Sequence, residues 1–180
     1  FYVDRHVDQM VRFAKLTSSD SILEVGAGLG RFSLPLLKKG LKLTCVDLSK
    51  PMLENLSRSA NTPHLKTVDA NITTAVFDEQ YDRIIGFFCL HHIHNLQDCY
   101  NNLAKAAKPG ALIVFCEPNP FNILYYLQLA FTKDMSWEGE KGILNMRKKL
   151  MSNTMANAGF CDIQFVSYGF FPPFIANQPW

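Results

Sequence analysis

The sequence predicts an α/β fold of three layers, with a mostly parallel sheet between two layers of helices. Three observations predict it. Strand-like and helix-like hydrophobic patterns alternate along the chain. An apolar run, Ile22 to Val25, breaks into a turn holding Gly26, Gly28 and Gly30 and then enters a helical pattern. Gly40, Gly110 and Gly159 fall where a chain leaving a helix needs a left-handed residue. A chain of 180 residues suits one domain, and folding at that size buries roughly 70% of the surface.

The elements follow in order. Val3, Val7, Met10, Val11 and Ala14 recur at helical spacing and predict an opening amphipathic helix. Strands are expected at residues 21–25, 42–46, 65–68, 81–87, 111–116 and 162–167. Helices are expected at 30–39, 51–59, 97–107 and 144–158. Residues 120–131 are apolar on all sides, which suits a helix that is buried or covers something apolar. The polar stretch 132–142 follows it. After the sixth strand comes Gly169-Phe170-Phe171-Pro172-Pro173-Phe174. Two prolines do not fit a central strand, so the last strand is expected to be short, rearranged or missing. The whole chain, 1–180, reads as a single domain shortened at one or both ends.

In a sheet of this kind the ligand sits at the carboxyl ends of the strands, near the point where strand order reverses. The glycine turn lies at such an end. Glycines let the turn close tightly and let backbone approach a ligand. A dinucleotide fingerprint would need a third glycine where Arg31 stands, whereas here it comes early, at Gly30. Glu24 precedes the first glycine by two places. Asp47 ends the second strand about 20 residues downstream, the spacing of a carboxylate that accepts from ribose hydroxyls. The alternative for Asp47 is a residue organising the start of the next helix.

Four blocks carry a family resemblance. They are Glu24-Val25-Gly26-Ala27-Gly28-Leu29-Gly30, then Val46-Asp47-Leu48-Ser49-Lys50-Pro51-Met52-Leu53, then Tyr81 through Ile93 with His91-His92, and Leu103 through Phe115 with Lys108-Pro109-Gly110. From about residue 4 to 166 the chain resembles the Rossmann-like class I S-adenosylmethionine-dependent methyltransferases, and within them the broad small-molecule group called type 11. The resemblance implies S-adenosylmethionine as methyl donor, S-adenosylhomocysteine as product and no metal. It implies that amides from Gly26 through Ala27 and Gly28 to Gly30 face the methionine end and ribose of the cofactor. Glu24 would organise the turn or reach the cofactor's amino group through water. Leu48 and Met52 would hold one face of adenine, with plain helix core as the alternative for Met52. Asp69 would accept from the adenine amine and Ala70 would offer its amide to a ring nitrogen. Asp69 could equally be a turn residue. Gly86, Phe87 and Phe88 would line the gap between donor and acceptor, and Tyr2, Phe87 and Phe88 could face the sulfonium.

His92 is the leading candidate for taking a proton from the acceptor, with His91 and Glu117 as further candidates. A base is not obligatory, because alignment of the acceptor and exclusion of water supply much of such a reaction. His91, His92 and His94 are poorly spaced for one ion, so no metal is expected. Cys89 lacks the preceding proline of cytosine methyltransferases, and no Asp/Asn-Pro-Pro-aromatic run follows the fourth strand. Formal charge is +2, and the one basic cluster is Arg147-Lys148-Lys149. These observations argue against nucleic acid.

The expected acceptor is a small molecule, hydrophobic or lipid-like, because of the apolar residues 120–131 and the late aromatic side chains Phe170, Phe171, Phe174 and Trp180. Contact with a membrane surface is the alternative use of that surface, and the remaining ones are ordinary core or an interface exposed by a missing C-terminal segment. No apolar run reaches the roughly 18 residues of a membrane span. Five irregularly spaced cysteines read as reduced thiols of a cytoplasmic protein. Two rival functions remain in view. One is a nicotinamide oxidoreductase, which lacks its third glycine and a Tyr-x-x-x-Lys pair here. The other is a non-catalytic methyltransferase-like scaffold that binds a partner protein.

Overall fold

The computed structural model describes residues 2–131 and 136–169, except the side chain of Gln128. Five strands form one sheet: β1 (Ile22–Val25), β2 (Leu43–Asp47), β3 (Leu65–Asp69), β4 (Tyr81–Phe87) and β5 (Ala107–Cys116). The order is β3-β2-β1-β4-β5, and every pairing is parallel. The helices are α1 (Tyr2–Phe13), α2 (Ser33–Lys38), α3 (Lys50–Ala60), α4 (Leu96–Ala106), α5 (Ile123–Phe131), α6 (Trp137–Glu140) and α7 (Lys148–Asn157). Strand order reverses between β1 and β4, which puts a crevice at the carboxyl end of β1.

Side-chain alternation builds a core on each face. Ile22, Cys45, Ile85 and Phe87 meet Val7, Met10, Leu36, Leu53 and Leu56 on the side of α1, α2 and α3. Leu23, Val25, Val46 and Ile84 meet Cys99, Tyr100, Leu103 and Met151 on the side of α4 and α7. The same alternation sends Glu24 into the first core, beside Ile22. All four residues of β1 are buried, whereas the edge strand β3 is largely exposed.

Three expectations need correction. Residues 162–167 form no strand. Asp162 is left-handed at φ 53°, and the segment attaches by side chains: Phe165 packs on the second core and Tyr168 meets the Cys116 Sγ at 3.0 Å. A cavity separates this segment from β5, so no backbone ladder forms between them. Gly110 does not end a helix. It lies inside β5 at φ 79°, where the pairing with β4 jumps from Tyr81–Ala107 to Arg83–Leu112. Such an irregularity, with Pro109 beside it, is tolerated in an edge strand. The helix expected at 144–158 begins only at Lys148, because Lys141–Met146 is a 3₁₀ turn. Residues 132–135 and the late aromatics Phe170, Phe171, Phe174 and Trp180 lie outside the described residues.

Candidate active site

The glycine turn leaves β1 at its carboxyl end. The Gly26 amide donates to the Val46 carbonyl at 2.8 Å, which ties the turn to β2. Gly26 is left-handed at φ 69°, and a Cβ there would lie 2.5 Å from the Cys89 Cβ. Gly28 is also left-handed, at φ 53°, but a Cβ there would meet only the Met52 Sδ, at 3.9 Å. Gly26 is therefore demanded by the fold, while the space beside Gly28 is open. Asp47 closes the turn from the end of β2. One carboxylate oxygen accepts from the Gly28 amide at 2.8 Å and the other from the Ser49 amide at 2.9 Å. Each oxygen keeps a lone pair for a further donor. Leu29, Leu48 and Met52 stand exposed around this point, at 56%, 72% and 42%. Met52 is thus not helix core.

Glu24 is fully buried beneath the turn. Its register partner on β2 is Cys45, whose thiol donates to the carboxyl at 3.4 Å. Burial pushes the Glu24 carboxyl up to about 7, while the adjacent Ser33 hydroxyl and Cys45 thiol pull it back. The pull from Ser33 is one of proximity, because its Oγ is buried without a hydrogen bond of good geometry.

A second cluster lies past the ends of β4 and β5. Phe88 takes a left-handed φ of 52°, and its amide donates to the Cys116 carbonyl. The chain then turns through Leu90–His92 as a 3₁₀ turn. Glu117, the residue after β5, accepts from the Cys89 amide at 2.9 Å and the Leu90 amide at 2.8 Å through one oxygen. Its other oxygen lies 2.6 Å from His91 Nδ1. His91 Nε2 lies 3.2 Å from Glu140 Oε2, and the Tyr125 hydroxyl donates to that same oxygen. Burial, then the Glu140 carboxylate, hold the Tyr125 proton far above the usual phenol range. The segment 137–146 docks here closely: a Cβ on Gly142 would fall 1.7 Å from the His91 carbonyl oxygen. His91, His92 and Glu140 bring ligand atoms within 4.8 Å of one another.

A cavity of about 1060 Å³ opens beside this cluster. Tyr2, Arg31, Phe88, His91, Glu117, Tyr125 and Glu140 all reach it. It approaches the glycine turn through Arg31 and Phe88. The Arg31 guanidinium stacks over the rings of Tyr2 and Phe32 at 5.4 and 5.5 Å.

The structure gathers Gly26, Ala27, Gly28, Gly30, Asp47, Leu48 and Met52 around the end of β1 and β2. It places others differently from expectation. The Ala70 amide donates to the Asp47 carbonyl at 3.1 Å, so it is not free for an adenine nitrogen. Asp69 pairs in register with Asp47 but is exposed, on a shallow depression shared with Lys50 and Arg58. Phe87 does not line the gap. It is buried and stacks on Phe32 at 4.3 Å between centroids, because it shares a sheet face with Ile85. His92 is exposed, with Nδ1 3.2 Å from the Gly139 carbonyl, while His91 holds the buried position. Tyr125 and Glu140 were not foreseen. They lie in the segment after β5, whose local pattern carries no catalytic motif.

Comparison with known proteins agrees with this geometry. A family profile described as a methyltransferase domain matches residues 23–115. A demethylmenaquinone methyltransferase of Tropheryma whipplei is 29% identical over 105 residues, 57% of this chain and 43% of that protein. A ubiquinone biosynthesis O-methyltransferase of Rickettsia akari is 29% identical over 108 residues, 59% of this chain and 43% of that protein. The chain thus spans under half the length of these two relatives. Among solved structures, coclaurine N-methyltransferase bound to N-methylheliamine and S-adenosylhomocysteine superposes with a TM-score of 0.57 at 24% identity, over 63% of this chain and 35% of that one. The match to it is one of fold. The profile, by contrast, runs from β1 into β5 and takes in the glycine turn, the Asp47 clasp and His91, and on that match the chain belongs to the methyltransferase-domain family.

Proposed function

We propose that the chain transfers a methyl group from S-adenosylmethionine to a small apolar acceptor. The observation that carries this reading is the open left-handed turn at Gly28, clasped by Asp47 and walled by exposed Leu29, Leu48 and Met52. Those residues fit the cofactor: backbone close enough to touch it, a carboxylate with lone pairs for ribose hydroxyls, and apolar side chains for adenine. S-adenosylmethionine, when bound, supplies an activated methyl group on a sulfonium. Glu24 supports the turn from below and Gly26 locks it against Cys89. Phe88, Tyr2 and Tyr125 give the neighbouring cavity the apolar walls that orient an acceptor and exclude water.

The relatives' names support a small-molecule acceptor, since one is named for demethylmenaquinone and another for ubiquinone biosynthesis. A hydrophobic acceptor is supported by the cavity lining. The exposed apolar side chains Phe121, Ile123, Leu127, Phe131 and Trp137 support peripheral contact with a membrane surface. No described helix is long and apolar enough to cross one. The five free cysteines support a cytoplasmic setting.

A second reading, a scaffold that binds a partner protein, is favoured by the outer edge of β5, which pairs with no strand among the described residues. Thermal shift tests the first reading. S-adenosylhomocysteine raises the melting temperature and NAD leaves it unchanged, because only a ligand of the native state stabilises it by mass action. A shift with NAD alone, or with neither, refutes the reading.

A further inference from the structure

The cluster of Glu117, His91, Glu140 and Tyr125 is made of residues other than those that fit the cofactor. Glu117 uses both oxygens on three donors: the Cys89 and Leu90 amides and His91 Nδ1. His91 faces a carboxylate at each ring nitrogen, Glu117 at 2.6 Å and Glu140 at 3.2 Å. Glu140 Oε2 meets His91 Nε2 and accepts from Tyr125. Two carboxylates share this one ring, so acidic groups outnumber basic ones in the cluster. The cluster sits at the wall of a cavity lined by aromatic rings. The cations on the same cavity do not cancel this excess. Arg31 is spread over Tyr2 and Phe32, and Lys15 is exposed. A carboxylate beside aromatic faces is an environment suited to an ammonium ion.

We propose that the acceptor is an amine, bound as its ammonium against Glu140, and that Glu140 receives the proton the amine sheds before it attacks. The inference rests on the methyl-transfer reading. The N–H bond breaks and its electron pair stays on nitrogen, while the proton goes to the Glu140 carboxylate. The nitrogen then forms its bond to the methyl carbon as the sulfur–carbon bond breaks and that pair returns to sulfur. Glu140 gives its proton to water as the product leaves. Glu140 is the catalytic residue. His91 and Tyr125 position its carboxylate, and Glu117 positions His91. Because Glu140 belongs to α6 and Gly142 seats that segment on His91, the charge is in place only while the segment is docked.

The test is calorimetric titration of the full chain saturated with S-adenosylhomocysteine, using 2-phenylethylamine and its uncharged analogue 2-phenylethanol. The amine is expected to bind at least tenfold tighter. Glu140→Gln should bring the two within about threefold, Glu140→Asp should restore part of the difference, and His64→Asn, at an exposed histidine just before β3, should change nothing. Glu117→Gln should keep the preference. Circular dichroism shows that each variant is folded. Equal or tighter binding of the alcohol, binding of neither probe, or a preference that survives Glu140→Gln overturns the proposal. So does stoichiometric Zn²⁺ binding that is lost in His91→Gln, since His91, His92 and Glu140 would then serve a metal. If S-adenosylhomocysteine binds and the amine preference is absent, the amine inference alone falls. If S-adenosylhomocysteine does not bind, the methyl-transfer reading falls with it.

Discussion

Replacing Gly28 separates what a ligand requires of the turn from what the fold requires. Its φ is 53°, and a Cβ would meet nothing nearer than the Met52 Sδ at 3.9 Å. The folded chain therefore resists Gly28→Ala only through the left-handed backbone, a cost of roughly 1–2 kcal/mol for an L residue. Gly110 is the matched control, with φ 79° and no atom within 4 Å of its would-be Cβ. Gly26→Ala is the contrast. Its Cβ would lie 2.5 Å from the Cys89 Cβ, an atom that cannot move without main chain. Urea denaturation should show similar losses for Gly28→Ala and Gly110→Ala, and a larger loss for Gly26→Ala. Calorimetry with S-adenosylhomocysteine should then separate the first two. Gly110→Ala binds normally, Gly28→Ala binds weakly, and Gly28→Val, which adds a stiff branched side chain, does not bind. Unchanged affinity in Gly28→Val would refute the placement of the cofactor on this turn, and every assignment around it would fall.

Three further outcomes are expected. Asp47→Ala removes two charge-assisted bonds to backbone, at Gly28 and Ser49, each worth about 1.5–3 kcal/mol at most; it should cost at least tenfold in S-adenosylhomocysteine affinity by calorimetry and also lower the melting temperature. Glu24 is held up at about 7 from an ordinary 4.5, so the folded chain keeps a proton that the unfolded chain releases, and stability falls as pH rises between those values. That rise caps the effect near ~3 kcal/mol, and Glu24→Gln should flatten the stability profile there when denaturation is measured at several pH values. Gly142→Ala should undock the segment 137–146, seen as faster proteolysis within it, while S-adenosylhomocysteine affinity is kept, because the clash is with the His91 carbonyl and not with the glycine turn.

The parallel sheet was legible because strands buried on both faces are written as continuous apolar runs. Ile22–Val25 and Leu43–Asp47 come close to this, mostly apolar runs broken by Glu24 and Thr44 and bounded by turn residues. Asp47 was legible for the same local reason: a strand ends where the glycine turn needs an acceptor. The failures share a cause as well. Residues 162–167 look like a strand by composition, but a strand exists only where a neighbour takes its hydrogen bonds, and a cavity lies between this segment and β5. Phe87 was placed at the ligand because it is aromatic and sits at a strand end. Its face is decided by alternation from Ile85, which turns it onto Phe32.

The choice between the two histidines shows the limit most clearly. In sequence, His91 and His92 are adjacent, and nothing local ranks one above the other. What separates them is contact with elements far along the chain. Glu117, 26 residues on, fixes the Nδ1 of His91, and Glu140 reaches its Nε2 from the segment after β5. His92 meets the Gly139 carbonyl at 3.2 Å and stays exposed. A buried ring held by two carboxylates cannot be replaced without leaving buried carboxylate oxygens without a partner, whereas an exposed one can. Two mutants therefore carry the argument. His91→Gln should lower the melting temperature markedly, and His92→Gln should lower it by much less. The reverse ranking would place the functional histidine back at position 92.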